Sequence, residues 1–328
     1  MSEHGSIAVV SGGVGAARFL RGLIDAVTDP GKITAVVNTG DDCSMHGLAI
    51  SPDLDTVVYT LAGAIDPERG WGLVGETWRA MESLERYEAV RPDGSAAAPR
   101  WFNLGDRDLA THFYRTARLA EGASLTDTTD EIRRAWGVPI RVVPMSDQRL
   151  STLVTVDDPA TAEGDTVEVS FQDYFVRLRH GVPVASVRFD GDAELSATAR
   201  EALAGASTVV IAPSNPLVSI GPIRSLPGVD ELLAARRDRV VAISPIVGGA
   251  ALKGPADRML AELGHDPSVV GVARLYSPIC STLVIDTVDA HHAADVEAAG
   301  VRCVVTDTIM ATPGVARQLA LDALASLA

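Results

Sequence analysis

The sequence has little positive charge for its length. Lysine and arginine together number 28 against 43 aspartates and glutamates, which gives a formal net charge of −15 over 328 residues. A surface with this excess of acid repels the phosphate backbone of nucleic acid, so nucleic acid is not expected as a partner. Any anionic ligand then needs a locally positive pocket, built from backbone N–H groups, arginines or a metal ion.

Long apolar runs and paired cysteines are also missing. No stretch is apolar and long enough to cross a bilayer, and the opening MSEHGSIAVV has neither the basic start nor the apolar segment of a secretory signal. Cys43, Cys280 and Cys303 form no CxxC motif, and their odd number is typical of reduced thiols. These features predict a cytoplasmic protein with no membrane partner.

A strand–helix pattern is present at both ends of the chain. Residues 6–10 and 33–37 have the composition of short buried strands, and an amphipathic helix is expected between them over 16–27. Further buried strands are expected over 208–212, 240–243, 283–285 and 301–305. This order predicts an α/β fold with a doubly wound, mostly parallel Rossmann-like sheet and helices on both faces.

The middle of the chain has a different character. Helices are expected over 56–65, 76–86, 107–120 and 127–136, separated in part by a loop at 88–99. Alternating strands then follow over 141–143, 150–156, 166–171 and 184–189, with a polar turn at 157–165. We therefore predict a nucleotide-binding core made of residues 1–55 and 205–328, and an inserted helical and β-rich region over 56–204.

A glycine-rich turn connects the first strand to the first helix. Gly12, Gly13 and Gly15 would let backbone N–H groups approach a phosphate at the positive end of that helix. An ordinary tight turn without a ligand is one alternative, and a nicotinamide dinucleotide site is another. The dinucleotide site requires an acidic residue at the end of the second strand, where this sequence has Asn38, and no Walker lysine follows the glycines.

Four aspartates follow the second strand within fifteen residues: Asp41, Asp42, Asp53 and Asp55. They stand at the carboxyl edge, where doubly wound folds bind ligands, and carboxylates beside a phosphate suit Mg²⁺. We predict a functional role for Asp41 and Asp55. Asp53 is expected only to cap the helix that follows it.

Three further segments carry polar side chains suited to a site. One helix face carries four polar side chains, Asp108, Thr111, His112 and Arg115, although such a face is usually only solvated. An aromatic wall beside it would come from Trp101, Phe102 and the separate RGWG at 69–72. Two turns, APSNPLVSIG and SPIVG, follow buried strands and offer hydroxyl and amide groups to a phosphate, ribose or base. Ordinary βα turns remain the alternative for both.

Taken together, these motifs resemble the family of 2-phospho-L-lactate transferases, including actinobacterial members that accept a phosphoenolpyruvyl group. The resemblance covers most of the chain in order, and its most specific stretches are PDLDT, LGDRDLATH and APSNP. The sequence CSM at 43–45 replaces bulkier residues beside the double aspartate, and the similarity is looser after residue 248. A related family of non-catalytic nucleotide-sugar-binding regulators shares the glycine turn and the double aspartate, and is the alternative.

The resemblance implies a transferase of coenzyme F-420 biosynthesis. Its donor would be GDP esterified through the terminal phosphate to lactate, enolpyruvate or a related three-carbon acid. Its acceptor would be Fo, a deazariboflavin whose ribityl hydroxyl attacks the outer phosphorus while GMP leaves. The resemblance also implies Mg²⁺ as cofactor and a homodimer.

The resemblance further implies the roles of individual residues. Asp41 and Asp55 would hold Mg²⁺, and Asp42 or Asp55 would orient or deprotonate the hydroxyl. The donor nucleotide would contact the turns after three strands, at Gly12, Gly13, Gly15, Ser214, Asn215, Pro216, Gly221, Ser244 and Pro245. Fo would contact the acceptor-binding residues Asp55, Trp71, Asn103, Arg107 and His112.

Overall fold

The structure is a computed structural model that describes residues 5–95, 97–99, 101–158, 161 and 164–327. Its strands are β1 (Ile7–Ser11), β2 (Ile33–Val37), β3 (Cys43–Met45), β4 (Leu48–Ile50), β5 (Arg141–Pro144), β6 (Ser151–Asp157), β7 (Thr166–Ser170), β8 (Val184–Asp190), β9 (Thr208–Ile211), β10 (Val240–Ile243), β11 (Ile246–Val247), β12 (Ala250–Ala251), β13 (Thr282–Asp286) and β14 (Arg302–Thr306). Its α-helices are α1 (Gly13–Ala26), α2 (Pro52–Leu61), α3 (Arg79–Glu88), α4 (Asp108–Ala120), α5 (Leu125–Ala135), α6 (Ala197–Gly205), α7 (Gly221–Ser225), α8 (Val229–Ala234), α9 (Ala256–Glu262), α10 (Val269–Tyr276), α11 (Ala293–Ala298) and α12 (Val315–Ala325).

A parallel sheet forms the centre of the molecule. Seven strands of the described chain pair in the order β14-β13-β10-β9-β1-β2-β5, and every pairing between them is parallel. Alternate residues of β1 face opposite layers: Ile7 and Val9 pack with α1, α2 and α12, whereas Ala8 and Val10 pack with α6, α8 and α10. Helices therefore cover both faces, which is why these strands are apolar along their whole length. The predicted doubly wound fold is confirmed.

The strand β5 lies in the main sheet and not with the alternating strands that follow it. It pairs in parallel with β2, with Val143 opposite Val36. The prediction that 141–143 belongs to the β-rich insertion is wrong at this strand. A short apolar strand does not encode its partner, because pairing depends on which sheet edge is free when the flanking helices pack.

An antiparallel sheet of β7, β6 and β8, in that order, stands apart from the main sheet. Its apolar face packs Val154 and Val156 against Tyr174, together with Val218 and Met259 from later in the chain. Parts of the predicted loop at 88–99 and of the predicted polar turn at 157–165 lie outside the described residues. Among the helices that the structure describes, none is long and apolar enough to span a bilayer.

Candidate functional site

A cleft of about 900 Å³ opens at the carboxyl edge of the main sheet. The segments that line it follow β1, β2, β9, β10 and β14, so it sits where ligands bind in open parallel sheets. Most of the predicted site residues line this cleft, namely Gly12, Gly13, Gly15, Asp41, Asp55, Trp71, Asn103, His112, Ser214, Asn215, Ser244 and Pro245. The chain thus brings the turns after β1, β2, β9 and β10, the loops that carry Trp71 and Asn103, and side chains of α2 and α4 to a single cavity.

The glycine turn at the start of α1 is packed tightly against the turn after β9. Ser214 Oγ donates a hydrogen bond of 2.6 Å to the Gly12 carbonyl, and a Cβ on Gly15 would lie 2.2 Å from the Pro213 carbonyl oxygen. Gly15 is therefore needed for the contact between the two turns. Gly13 has a φ of +70°, and a Cβ there would make only an ordinary contact, 3.6 Å from Asp53 Oδ1, so its left-handed conformation is the reason for glycine at this position.

Asn38, Asp41 and Asp53 form a cluster beside the glycine turn. The Asn38 amide donates to Asp41 Oδ2 at 3.2 Å and to Asp53 Oδ2 at 3.0 Å. Burial raises the pKa of Asp53 to about 6, and burial followed by the charge of Asp53 raises the pKa of Asp41. The other oxygen of Asp41, Oδ1, is buried and makes no hydrogen bond of normal geometry with the described residues, although the Thr152 hydroxyl is near enough to offset part of the rise in the pKa of this carboxyl. Oδ1 therefore keeps lone pairs for a ligand.

The expectation that Asp53 only caps α2 is wrong. The N-cap residue of α2 is Ser51, and the Asp53 carboxylate turns back to the Gly13 N–H and the Asn38 amide. Asp53 therefore joins the glycine turn to the second strand. Helix-capping preferences could not predict this contact, because they consider only residues that are neighbours along the chain. Asn38 has a corresponding role, because its side chain holds two carboxylates in the place where a dinucleotide site has an acid.

A second cluster surrounds Asp55. Arg115 Nη1 donates to Asp55 Oδ2 at 3.1 Å, Arg115 Nη2 bonds the other oxygen, and the two residues are only 1% and 5% exposed. His112 Nδ1 lies 3.8 Å from Asp55 Oδ2, and His112 Nε2 lies 3.4 Å from Asp108 Oδ2. Tyr59 donates to the remaining Asp108 oxygen at 2.6 Å. The predicted polar helix face is confirmed, and it is buried against α2 instead of solvated.

The contacts of His112 assign its tautomer. Its Nδ1 faces Arg115 Nη1 at 3.3 Å, and because a guanidinium can only donate, Nδ1 is the acceptor and the proton of the neutral ring is on Nε2. Burial opposes ionisation of Asp108, but hydrogen bonds from His112 and Tyr59, together with the charge of Arg115, outweigh it and lower the pKa of that carboxyl. Asp108 is therefore a carboxylate at neutral pH.

These residues fit a divalent cation. Ligand atoms of Asp55, Asp108 and His112 all lie within 4.8 Å of one another. In the tautomer above both ring nitrogens of His112 are engaged, so His112 would have to give up its contact with Arg115 to bind an ion, whereas the two carboxylates need not. Each Asp55 oxygen that accepts from Arg115 keeps a second lone pair, so the ion pair does not consume its capacity as a ligand. Carboxylate oxygens suit Mg²⁺. The predicted partner Asp41 lies in the same cleft but in the other carboxylate cluster.

An aromatic wall lines another part of the cleft, as expected. Trp71 is 43% exposed, and its ring lies 5.9 Å from that of Trp78. The Arg69 guanidinium lies 5.4 Å and 5.3 Å from these two rings, and it also bonds Asp66 and the Leu73 carbonyl. An exposed indole held in this way offers a rigid flat surface to a planar ligand.

Asp42, Pro216, Gly221 and Arg107 lie outside the lining of the cleft. Asp42 accepts a hydrogen bond of 2.6 Å from Ser51 Oγ, and burial raises its pKa. Gly221 begins α7, where a Cβ would lie 3.1 Å from the Phe189 ring. Arg107 is exposed and donates to the Val74 carbonyl at 2.6 Å. The proposed ligand contacts of these four residues rest on the sequence resemblance alone.

Sequence reasoning missed several residues that the cleft brings together. Arg18 on α1, Lys253 after β12 and the segment 308–311 after β14 all line it. Arg18 sits on the first helix at a spacing that the glycine motif does not mark. Lys253 has one detectable signal, since it is one of only two lysines in the chain.

Comparisons with known proteins agree on one family. The family model for 2-phospho-L-lactate transferase CofD matches residues 7–319. Among curated proteins, the chain is 41% identical over 322 residues to a phosphoenolpyruvate transferase of Kitasatospora aureofaciens, covering 97% of each chain. It is 42% identical over 319 residues to one of Streptomyces griseus, and 40% identical over 328 residues to one of Mycobacterium tuberculosis, covering 95% of this chain and 96% of each relative.

A solved structure shares the fold. Protein BH3568 from Bacillus halodurans, described as a member of the UPF0052 family, superposes with a TM-score of 0.61 over 99% of both chains at 18% sequence identity. At that identity the likeness extends to the architecture of the sheet and its helices and no further.

Proposed function

The chain belongs to the 2-phospho-L-lactate transferase family, and we propose that it transfers a phosphoenolpyruvyl group from a GDP-linked donor to Fo, the deazaflavin precursor of coenzyme F-420. It is a transferase enzyme. The observation that carries the finer proposal is the single cleft that joins a glycine turn, two carboxylate clusters and an exposed tryptophan. Enolpyruvate is proposed over lactate because the curated relatives at about 40% identity are named for it.

The proposed donor binds along the turns after β1, β9 and β10. The first turn of α1 offers the backbone N–H groups that follow Gly13 to the diphosphate, since the Gly13 N–H is bonded to Asp53 and the start of a helix carries further unpaired donors and a partial positive charge. Asn215 Oδ1 accepts from the Leu217 N–H at 2.9 Å, which keeps the second turn in shape, and Ser244 Oγ accepts from the Ile246 N–H at 3.1 Å in the third. The turns after β9 and β10 therefore each have an internal hydrogen bond that supports their shape without a ligand.

The proposed reaction is an in-line displacement at phosphorus. The terminal ribityl oxygen of Fo forms a bond to the outer phosphorus, the bond from that phosphorus to the bridging oxygen breaks, and GMP leaves with the bridging oxygen. The hydroxyl proton passes to a carboxylate oxygen of Asp55. Such reactions proceed through a loose transition state, so that positioning and charge neutralisation contribute more than proton removal.

Asp55 is suited to orient the hydroxyl, because Arg115 bonds both of its oxygens and both side chains are buried. Asp42 is the alternative orienting residue, with its carboxylate turned to Ser51. Asp41 and Asp55 are the proposed ligands of Mg²⁺, and Asp108 and His112 complete a second possible set with Asp55. Bound there, Mg²⁺ would neutralise charge on the diphosphate.

Trp71 is the proposed stacking partner of the deazaflavin ring, and Asn103 lines the same cleft. Arg107 and His112 are proposed acceptor-site residues on the resemblance. A homodimer and a cytoplasmic location are likewise proposed on that basis. The nicotinamide oxidoreductase alternative loses support, because Asn38 is occupied with Asp41 and Asp53 and offers no acid to a ribose.

The test is to incubate the purified protein with Fo, Mg²⁺ and synthetic GDP-linked enolpyruvate or GDP-linked lactate. Formation of GMP and of an Fo phosphodiester is expected, with the enolpyruvyl product two hydrogens lighter than the lactyl one in the mass spectrum. When the protein is titrated into Fo without any donor, the fluorescence of Fo should be quenched. Absence of Fo binding would refute the acceptor and favour a nucleotide-binding regulator, whereas Fo binding without product from either donor would refute the donor.

A further inference from the structure

The chain has only two lysines, and they lie at opposite edges of the main sheet. Lys32 is exposed in the 3-10 turn Pro30–Lys32, which leads into the amino end of β2. Lys253 follows β12 and lines the cleft at the carboxyl edge. The chain carries 26 arginines but only two lysines, and one of these two lysines lies beside the candidate site.

Lys253 Nζ lies where three loops meet. It is 3.0 Å from the point at which a Cβ on Gly70 would stand, and the two methyl groups of Val14 lie 3.9 Å and 4.0 Å from that same point. Gly70 has a φ of +77° and no side chain, so it leaves room for the ammonium group between the RGWG loop and the glycine turn. The ammonium group is therefore close to the N-terminus of α1 even though 239 residues separate Lys253 from Val14.

Lys253 has no hydrogen bond or ion pair with any residue that the structure describes. The cleft contains four aspartates, Asp41, Asp53, Asp55 and Asp108, and their contacts are made with Asn38, Arg115, His112 and Tyr59. Arg69, another cation of the lining, is engaged by Asp66 and the Leu73 carbonyl. An ammonium group with all three donors free, beside a helix start that suits anions, has the chemistry of an anion ligand.

We propose that Lys253 binds an oxygen of the donor's outer phosphate, and so supplies the lysine that the glycine turn lacks in its own sequence, beside Arg18 of α1, which also lines the cleft. This inference rests on the proposed function for the identity of the nucleotide, but the contact needs only a diphosphate. Lys253 is exposed at the cleft, so its flexible stem can follow the phosphate as the donor enters. The diphosphate would then lie between the start of α1 and Lys253.

The two lysines make a direct test possible. Reductive ¹³C-methylation keeps the positive charge and gives NMR signals for Lys32, Lys253 and the terminal amine, which are assigned with Lys32→Met and Lys253→Met. The Lys253 signal should shift on addition of GDP or pyrophosphate and stay in place with GMP, while the Lys32 signal stays in place throughout. A Lys253 signal that responds to pyruvate and not to pyrophosphate would overturn the phosphate assignment in favour of a carboxylate.

Calorimetry supplies the second measurement. Lys253→Met should weaken GDP binding by roughly tenfold to a hundredfold, the loss of one hydrogen bond between charged groups, and change GMP binding less than twofold. Lys253→Arg should recover part of the loss, and Lys32→Met should bind GDP as the parent does. Unchanged GDP affinity in Lys253→Met overturns the inference. If the parent binds pyrophosphate at Lys253 but no GDP, the anion contact stands and the nucleotide of the proposed function fails.

Discussion

Arg115 holds both carboxylate oxygens of Asp55 from a position 60 residues further along the chain, with neither side chain in appreciable contact with solvent. The pair joins α4 to α2 beneath the cleft. A buried ion pair of this kind contributes little net stability as a whole, but removal of one partner leaves the other charge buried and unpaired. Asp55, the proposed metal ligand, is thus also a structural residue.

Arg115→Met should therefore lower both stability and activity. We expect a loss of about 3–5 kcal/mol in the free energy of unfolding, because the Asp55 carboxylate would remain in a buried position without its cation. Urea denaturation monitored by circular dichroism measures this. Arg118→Ala on the same helix is the control, since the side chains of its pairs with Glu121 and Glu131 are 24–63% exposed, and it should change stability far less. Equal losses in the free energy of unfolding would show that removing Arg115 from its buried pair costs no more than removing Arg118 from its pairs.

The metal ligands can be separated by two variants, because Asp55 belongs to both possible sets. We expect Asp41→Asn to raise the Mg²⁺ concentration for half-maximal turnover at least roughly tenfold, since it removes the charge of a buried carboxylate whose Oδ1 keeps lone pairs for a ligand. Asp108→Asn should have a smaller effect. Excess chelator should abolish turnover in the parent.

A larger rise in the Mg²⁺ requirement for Asp108→Asn than for Asp41→Asn would assign the metal to Asp55, Asp108 and His112. Mn²⁺ titration in the presence of GDP, followed by calorimetry, gives the same comparison without turnover. Asp55→Asn is a poorer probe, because its pairing with Arg115 means that the variant should also lose stability.

Gly13→Val should weaken GDP binding by at least roughly tenfold and change Fo binding less than twofold. A branched residue at a φ of +70° is strained, at a cost of about 1–2 kcal/mol, and its Cβ would lie 3.6 Å from Asp53 Oδ1, in the turn where the diphosphate is proposed to bind. Gly137→Val is a matched control, with a φ of +66° and nothing within 4 Å of a Cβ. It should lose similar stability and keep its GDP affinity; equal loss of GDP and Fo binding in Gly13→Val would indicate misfolding.

Arg107→Ala tests the acceptor role that the resemblance assigns to an exposed residue. If the guanidinium leaves the Val74 carbonyl and binds Fo, the apparent KM for Fo should rise about tenfold while kcat changes less than twofold. Trp71→Ala should raise the same KM and reduce the quenching of Fo fluorescence, whereas Tyr87→Ala, on the exposed side of α3, should do neither. A change below twofold in Arg107→Ala would leave Arg107 with its bond to Val74 as its only function.

The carboxyl edge of the sheet was predictable from the order of elements. A polar or glycine-rich turn follows each buried strand, and parallel strands necessarily end at one edge, so the turns that carry Gly13, Ser214 and Ser244 had to meet there. The helix face with Asp108, His112 and Arg115 was predictable for a similar reason, since the spacing i, i+4, i+7 fixes which residues share a side.

The sequence alone determined what lies on one element, because backbone geometry relates residues that are close along the chain. Only the tertiary structure decided which elements meet: β5 against β2, Arg115 against Asp55, Asp53 against Gly13, and Lys253 beside Val14. These contacts depend on how helices and strands pack to fill the core, and packing joins residues tens to hundreds of positions apart without leaving a local pattern. The motifs of the sequence thus predict which chemical groups the site contains, while the fold determines which charged groups are paired with one another.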